Sequence, residues 1–381
     1  MISNDVKYIG VKDLDIDLFE GQYKVNDGMT YNSYIIFDDE AICVLDTVDK
    51  HFKDEWLNNI ERELNGKLPD CLVVHHMEPD HSANIDAFME KYPNAKIFAS
   101  ASAFNMMKNL FGTDYGDRKV VIKDGDGLSL GRHELTFIAA PFVHWPEVMF
   151  SYDAYDKILF SSDGFGKFGS SLDTNNWVNE ARRYYFGIVG KFGQYVNNVL
   201  KKAENLDIKI ICPLHGPILK DNLSYYLGLY KTWSNYLPEE NGVCICFCSV
   251  YNHTLEACKY LENKLRENNV KVNVFDLSRC DHSLALSEAF RYSKLVLASP
   301  TYNGDIFPFM KDFIHSLLDH NYQNRDIVLI ENGMWAPMAN KNMKSLLDNL
   351  KNINYIDNVT IKGRVSEDIK NKLDELVLKL K

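Results

Sequence analysis

The stretch Cys71-Leu72-Val73-Val74-His75-His76-Met77-Glu78-Pro79-Asp80-His81-Ser82 runs from a short apolar segment straight into a dense set of metal-ligand side chains. His76, Glu78, Asp80 and His81 offer two imidazoles and two carboxylates within one loop. Further along come His144 in Val143-His144-Trp145-Pro146-Glu147, Asp163 after Lys157-Ile158-Leu159-Phe160-Ser161-Ser162, and His215 in His215-Gly216-Pro217. A lone His or Asp at a strand end is more often a hydrogen-bonded structural group. An ordered series of strand ends delivering such groups points to a metal centre. These seven side chains are too many for one tetrahedral zinc. They suit two adjacent metals sharing a carboxylate, because three carboxylates and a bridging hydroxide would balance two divalent ions. Imidazole and carboxylate with open positions favour non-haem iron or manganese. Binuclear zinc hydrolases use the same donor types, so the residues alone leave the metal open.

Such loops must sit at the ends of strands, where backbone can converge without being buried unpaired. The run Cys71–Val74 is expected to be a buried strand. Pro79 stiffens the loop after it, and Asp80 and Ser82 are expected to start the helix at Ile85–Met89. Upstream, Ser33–Phe37 and Ala41–Leu45 flank Asp38-Asp39-Glu40 as a hairpin, and a charged helix follows to about Leu64. Buried strands are expected at 96–100 and 157–162, and further strands at 120–122, 133–139 and 208–214. A short helix is expected at 103–110 and one helical region over about 174–205. The composition shifts at Leu237-Pro238-Glu239-Glu240-Asn241-Gly242, which marks a boundary between residues 1–240 and 241–381. Beyond it strands at about 243–249, 271–276, 294–299, 326–331 and 356–361 alternate with helices at 254–268, 283–291, 307–319, 337–351 and 366–380. That pattern predicts a doubly wound parallel sheet of the flavodoxin type. The fold class is therefore α/β in both halves.

With 381 residues, 46% of them hydrophobic and 25% charged, both halves can build ordinary cores. A net charge of -11 argues against a nucleic-acid partner and against an anionic membrane surface. The N-terminal residues have no apolar core of a signal peptide, and no apolar run spans a bilayer. The cysteines at 43, 71, 212, 244, 246, 248, 258 and 280 mostly lie in apolar strand-like runs with no CxxC pair. Reduced, packed thiols and a cytoplasmic location are expected.

His76-Met77-Glu78-Pro79-Asp80-His81 with downstream His144, Asp163 and His215-Gly216-Pro217 resembles the metallo-β-lactamase fold. In the hydrolases of that fold the second motif position is His, and here it is Glu78. That replacement, with Tyr31-Asn32-Ser33-Tyr34 upstream and His144-Trp145-Pro146 downstream, resembles the flavodiiron proteins (A-type flavoproteins). The resemblance covers essentially the whole chain. It implies an N-terminal metallo-β-lactamase-like αββα sandwich followed by the flavodoxin-like sheet. It implies one iron held by His76, Glu78 and His144, another held by Asp80, His81 and His215, and Asp163 bridging them.

FMN would bind at three strand-end loops. The first is Ser249-Val250-Tyr251-Asn252-His253-Thr254, which opens a helix whose N-terminus suits a phosphate. It lacks the Gly common in such loops, and Asn252 can supply the left-handed conformation instead. The second, Ser299-Pro300-Thr301-Tyr302-Asn303-Gly304, looks like the family's isoalloxazine loop. The third includes Asn332-Gly333-Met334-Trp335, flanked by Glu331 and Pro337, which depart from the commoner pattern. No dinucleotide fingerprint is present, so FMN is favoured over FAD.

The expected activity is reduction of O2 to water, or of NO to N2O, at a diiron centre fed by FMN. The donor is expected to be a separate electron-donor protein or reduced cofactor. The expected assembly is a head-to-tail homodimer, or a dimer of dimers. Trp145 and Tyr31 are candidate pocket walls. The alternative is a binuclear zinc hydrolase fused to a flavodoxin-like domain, which iron analysis, a flavin spectrum and an oxygen electrode would separate.

Overall fold

A computed structural model describes residues 2–381. The chain divides into two compact units, Met1–Lys231 and Thr232–Lys381.

The first unit is built on two sheets. The six-stranded sheet runs in the order Val6–Tyr8, Tyr34–Phe37, Ile42–Leu45, Cys71–Val73, Lys96–Ser100, Lys119–Ile122. The five-stranded sheet runs Gly127–Ser129, Glu134–Ala139, Met149–Asp153, Ile158–Phe160, Ile210–Cys212. Side chains of a strand alternate between faces. Ile36, Cys43, Leu45, Cys71 and Val73 accordingly meet Leu135, Phe137, Met149, Ile158 and Phe160 between the sheets. Ile35, Val44, Leu72 and Ile97 point the other way, onto Trp56, Ile60, Phe88 and Phe104 of the covering helices. Both faces of these strands are buried, which is why they read as continuous apolar runs.

The expected hairpin is present, with Tyr34–Phe37 antiparallel to Ile42–Leu45. Three expectations need correction. Asp80 and Ser82 do not start the helix Ile85–Lys91. Pro79 instead opens a separate helical turn, Pro79–Ser82, and Asn84 precedes the next helix. Pro fits the first helical position because its missing N–H has no partner there anyway. The region 174–205 is not one helix. Trp177–Tyr184 gives way to a π-type turn at Tyr185–Val189 and a tight turn at Gly190–Phe192 before Gly193–Ala203. Gly187, Gly190 and Gly193 weaken a regular helix at that point. The third concerns a strand that was not expected at all, the fully buried Met149–Asp153.

The second unit is one parallel sheet in the order Val272–Asp276, Glu240–Phe247, Tyr292–Tyr302, Gln323–Asn332, Lys351–Ile361. In sequence numbering this is 2-1-3-4-5, the flavodoxin-like order. Val243, Ile245, Val296, Val328 and Ile330 pack beneath Leu261, Leu265, Leu373 and Leu376 of two flanking helices. The fourth helix of this unit, expected at 337–351, is only Ala339–Leu347, and the last strand begins already at Lys351. All eight cysteines are free thiols, and only Cys280 is not fully buried. Among the described residues no helix is long and apolar enough to cross a membrane.

Candidate metal centre

Four strand ends and two loops of the first unit bring the sequence-predicted ligands together. His76 follows Cys71–Val73, His144 and Asp163 flank the hairpin of Met149–Asp153 and Ile158–Phe160, and His215 follows Ile210–Cys212. Two groups of side chains could each hold a metal ion: His76, Glu78, His144 and Asp163, and beside them Asp80, His81 and His215. Asp163 lies between them. Its Oδ2 is 3.2 Å from His76 Nε2 and 3.1 Å from His144 Nε2, while its Oδ1 is 3.4 Å from His81 Nε2 and 3.6 Å from His215 Nε2. Within the first group His144 Nε2 is 3.0 Å from Glu78 Oε2. Within the second, Asp80 Oδ2 is 3.3 Å from both His81 Nε2 and His215 Nε2.

The surrounding scaffold fixes the imidazole tautomers. His76 Nδ1 lies 2.8 Å from Glu147 Oε1, and the same oxygen accepts from the Met77 N–H at 2.8 Å. His215 Nδ1 donates to the Thr30 carbonyl at 2.7 Å. Each Nδ1 then carries the proton, and each Nε2 presents a lone pair to the centre. The stretch Tyr31-Asn32-Ser33-Tyr34 is explained by the same loop. Asn32 Nδ2 donates to the carbonyls of Pro213 and Gly216 at 2.8 and 2.9 Å, and the Tyr34 hydroxyl donates to Pro213 at 2.6 Å. Together they clamp the backbone on both sides of His215.

The donor set fits cations. Both carboxylate oxygens of Asp80 and of Asp163, with Nδ1 of His81, are buried without a hydrogen-bond partner. Buried anionic oxygens without donors cost several kcal/mol unless a cation pairs with them, so the residues present match a pair of metal ions. The electrostatics agree. Burial alone would lower the His76 pKa, but the negative charge of Asp163, with Glu147 and Glu78 beside the ring, raises it well above the usual imidazole range. Burial again opposes, and Asp163 with Glu78 overcomes it, for His144, which is pushed up to about 9. Burial would raise Asp163, yet His76, His144 and His81 hold it well below the ordinary carboxylate range. The direction of these shifts reflects an excess of negative charge that a pair of cations would balance.

Aromatic rings enclose the centre. Trp145 stands edge-on to His76 at 5.3 Å and Tyr31 edge-on to His215 at 6.0 Å, so both candidate wall residues border the cluster. Several contributors carry no clear signal in the sequence. Glu147 was visible only as the last residue of His144-Trp145-Pro146-Glu147, and the carboxylate it offers a strand end was its one signal. Phe19 is edge-on to His215 at 5.3 Å, and Tyr184 is 5.5 Å from the same ring. Glu20, beside Phe19, has its pKa pushed up to about 7 by desolvation and by the Glu78 charge. His75, adjacent to the first ligand, turns away from the centre and bonds Asp46 at 2.6 Å and Ser151 at 2.8 Å.

In the second unit the three candidate flavin loops end adjacent strands, since Glu240–Phe247 pairs with Tyr292–Tyr302, which pairs with Gln323–Asn332. Asn252 has φ 68 and precedes the helix His253–Glu267 without capping it through its own side chain. Ser249 Oγ accepts from Leu255 N–H at 3.3 Å, and Thr254 is buried. His253 lies 3.5 Å from Glu256. The second loop is a tight turn. The strand continues through Pro300, Thr301 and Tyr302 and turns at Asn303 (φ 50) and Gly304 (φ 73) into Asp305–Ile306. Two consecutive positive φ values are what a two-residue hairpin turn of this kind requires. Ser299 accepts from Phe307 N–H, and Thr301 Oγ1 accepts from the N–H groups of Met338 and Ala339. Asn332 exchanges hydrogen bonds with Gly363, and Gly333 packs close to Pro337. Glu331 accepts from Asn340 N–H and from Thr360, so the departure at that position anchors the third loop. What remains outward is aromatic and apolar: Tyr251 is 84% exposed and Trp335 82%, with Val250, Tyr302 and Met334 also exposed.

Residues 29–216 match the family described as ODP family beta lactamase. The chain is 30% identical over 335 residues to a nitric oxide reductase of Moorella thermoacetica, covering 85% of this chain and 83% of that protein. It is 29% identical over 320 residues to an anaerobic nitric oxide reductase flavorubredoxin of Vibrio vulnificus, covering 81% of this chain and 64% of the relative's length. The chain thus spans just under two thirds of the length of that flavorubredoxin. Among solved structures it superposes on rubredoxin oxygen:oxidoreductase from the anaerobe Desulfovibrio gigas with TM-score 0.90 and 25% identity, over 100% of this chain and 97% of that one. The fold is also that of the flavodiiron protein from Giardia intestinalis, with TM-score 0.92 and 24% identity over 99% of this chain and 95% of that chain. With a lactamase-like unit, a flavodoxin-like unit and relatives of this kind along its length, the chain belongs to the flavodiiron protein family.

Proposed function

We propose that the chain is a flavodiiron oxidoreductase that reduces NO to N2O or O2 to water. The observation that carries the proposal is the division of Asp163, whose two unpartnered oxygens each face a different set of ligands. In this reading residues 1–240 would hold one iron on His76, Glu78 and His144 and another on Asp80, His81 and His215, with Asp163 shared between them. Residues 241–381 hold FMN. Two reduced irons and one reduced flavin together store the four electrons that taking O2 to two waters requires.

The chain's own groups have definite parts. Glu147 and the Thr30 carbonyl hold the Nδ1 protons of His76 and His215, so those rings face the metals as neutral ligands. Trp145, Tyr31 and Phe19 keep the centre small and limit water around it. The helix N-terminus at His253, with Ser249 and Thr254, would receive the FMN phosphate. Tyr251, Tyr302, Met334 and Trp335 offer apolar surface to the flavin ring.

Relatives named nitric oxide reductases support an oxidoreductase over the zinc hydrolase. Glu78 supports it too, because an added carboxylate suits iron better than a neutral imidazole would. The proposal takes the protein to act in the cytoplasm as a homodimer fed by a separate donor, with no nucleic-acid or membrane partner. The test is analysis of purified protein with NO and oxygen electrodes. About two irons and one FMN per chain with gas-consuming turnover are expected. Full turnover by a preparation with stoichiometric zinc and no iron would refute the proposal.

A further inference from the structure

We propose that Asp5, His133 and Asp156 form an additional site for a structural divalent cation of the zinc class, separate from the metal centre above. Asp5 precedes Val6–Tyr8, the edge strand of the six-stranded sheet. His133 precedes Glu134–Ala139, and Asp156 sits in the turn between Met149–Asp153 and Ile158–Phe160, all of the five-stranded sheet. A cation there would tie the two sheets together.

One ligand atom from each of the three residues lies within 4.8 Å of the others. The His133 ring is fully buried, and its Nδ1 is 2.9 Å from Asp153 Oδ2. Asp153 therefore holds the Nδ1 proton, as Glu147 does for His76, and Nε2 is left facing Asp5 Oδ2 at 3.4 Å. Two ligands at ~2.1 Å from a tetrahedral ion are about 3.4 Å apart. An independent observation lies on the third residue. Asp156 Oδ2 is buried and has no hydrogen-bond partner. An orphaned carboxylate oxygen beside a buried imidazole is what a cation would satisfy.

Charge favours a cation as well. Asp5, Asp38, Asp153 and Asp156 surround His133, and the cation present is Arg132, 3.2 Å from Asp5 and 3.0 Å from Asp38. Protonation of His133 is the competing way to offset the excess. Burial opposes it, while Asp153, Asp5 and Asp156 raise its pKa above the usual imidazole value. One imidazole and two carboxylates match zinc, whereas calcium and magnesium prefer oxygen alone.

The test compares wild type with Asp5→Asn/Asp156→Asn. Both are stripped with a chelator, equilibrated with excess zinc chloride, desalted and counted by elemental mass spectrometry. Ions held by the His76–His215 centre are common to both and cancel in the difference. Wild type is expected to retain about one zinc more per chain, and its melting midpoint to rise with zinc in a way the variant's does not. Equal zinc contents with equal midpoints would overturn the proposal and assign the cluster to an imidazolium paired with its carboxylates. If the double variant does not fold, Asp156→Asn alone replaces it. Its zinc affinity at this site is expected to fall at least about tenfold, and unchanged affinity would overturn the proposal equally.

Discussion

Glu147 Oε1 lies 2.8 Å from His76 Nδ1, and this carboxylate fixes which nitrogen of His76 faces the metal centre. Glu147→Gln keeps an acceptor of the same shape but removes the charge that strengthens the imidazole as a ligand. Metal affinity is expected to fall about 10–100-fold. The loss should appear in metal retained after dialysis, with the far-UV spectrum unchanged. Metal retention equal to wild type would show that Glu147 only anchors the Met77 N–H.

Asp163→Asn should uncouple the two ligand groups. An amide carries no charge and bridges two cations poorly. The variant is expected to lose at least one metal per chain and nearly all gas reduction, with flavin binding unchanged. Intact metal content together with intact turnover would reduce Asp163 to a structural strand-end residue.

The candidate ligands were legible because they are announced locally, as polar metal-binding residues at or just beyond the ends of apolar strands. Their pairing into two groups was not announced by the residues themselves. It depends on the way two different sheets bring His76, His144 and His215 to one place. Glu147 and Thr30 were hidden for the same reason, since a supporting shell is assembled through tertiary contacts and has no spacing rule. In the second unit the alternation of strands and helices was sufficient for the 2-1-3-4-5 sheet. The tight turn at Asn303-Gly304 was not read from the sequence, because Asn-Gly is a turn signal only when the flanking strands are known to pair. The broken helix after Tyr184 shows the limit of periodicity, as its apolar spacing continues while glycines loosen the backbone.

Asn252 tests the phosphate loop. It adopts φ 68, a region costing most residues roughly 1–2 kcal/mol and costing Gly little. Asn252→Gly should retain FMN, whereas Asn252→Val should weaken FMN binding about tenfold by disfavouring the loop's conformation. Flavin fluorescence titration of the apoprotein measures both. Equal affinity for the two variants would mean that the backbone at this position does not shape the phosphate site.

The histidines give the metal-free protein a distinctive pH dependence. The pKa values of His76, His144 and His215 are all raised in the folded, metal-free chain, against the opposing effect of burial, chiefly by Asp163 for the first two and by Asp80 for His215. A group raised in the folded state stabilises it fully below its unfolded pKa, and that contribution is lost as pH rises through the folded value. For His144 the window runs from 6.5 to about 9. The melting midpoint of chelator-treated protein should therefore fall across that window. Metal ions replace the same protons, so adding metal at pH 7 should release protons into a weakly buffered solution, and metal affinity should rise with pH until the imidazoles are neutral. In metal-loaded protein the fall in midpoint should vanish, since the imidazoles no longer titrate there. A midpoint for metal-free protein that stays flat across the window, with no proton release on metal addition, would show that the cluster is already neutral and that its carboxylates are balanced in another way.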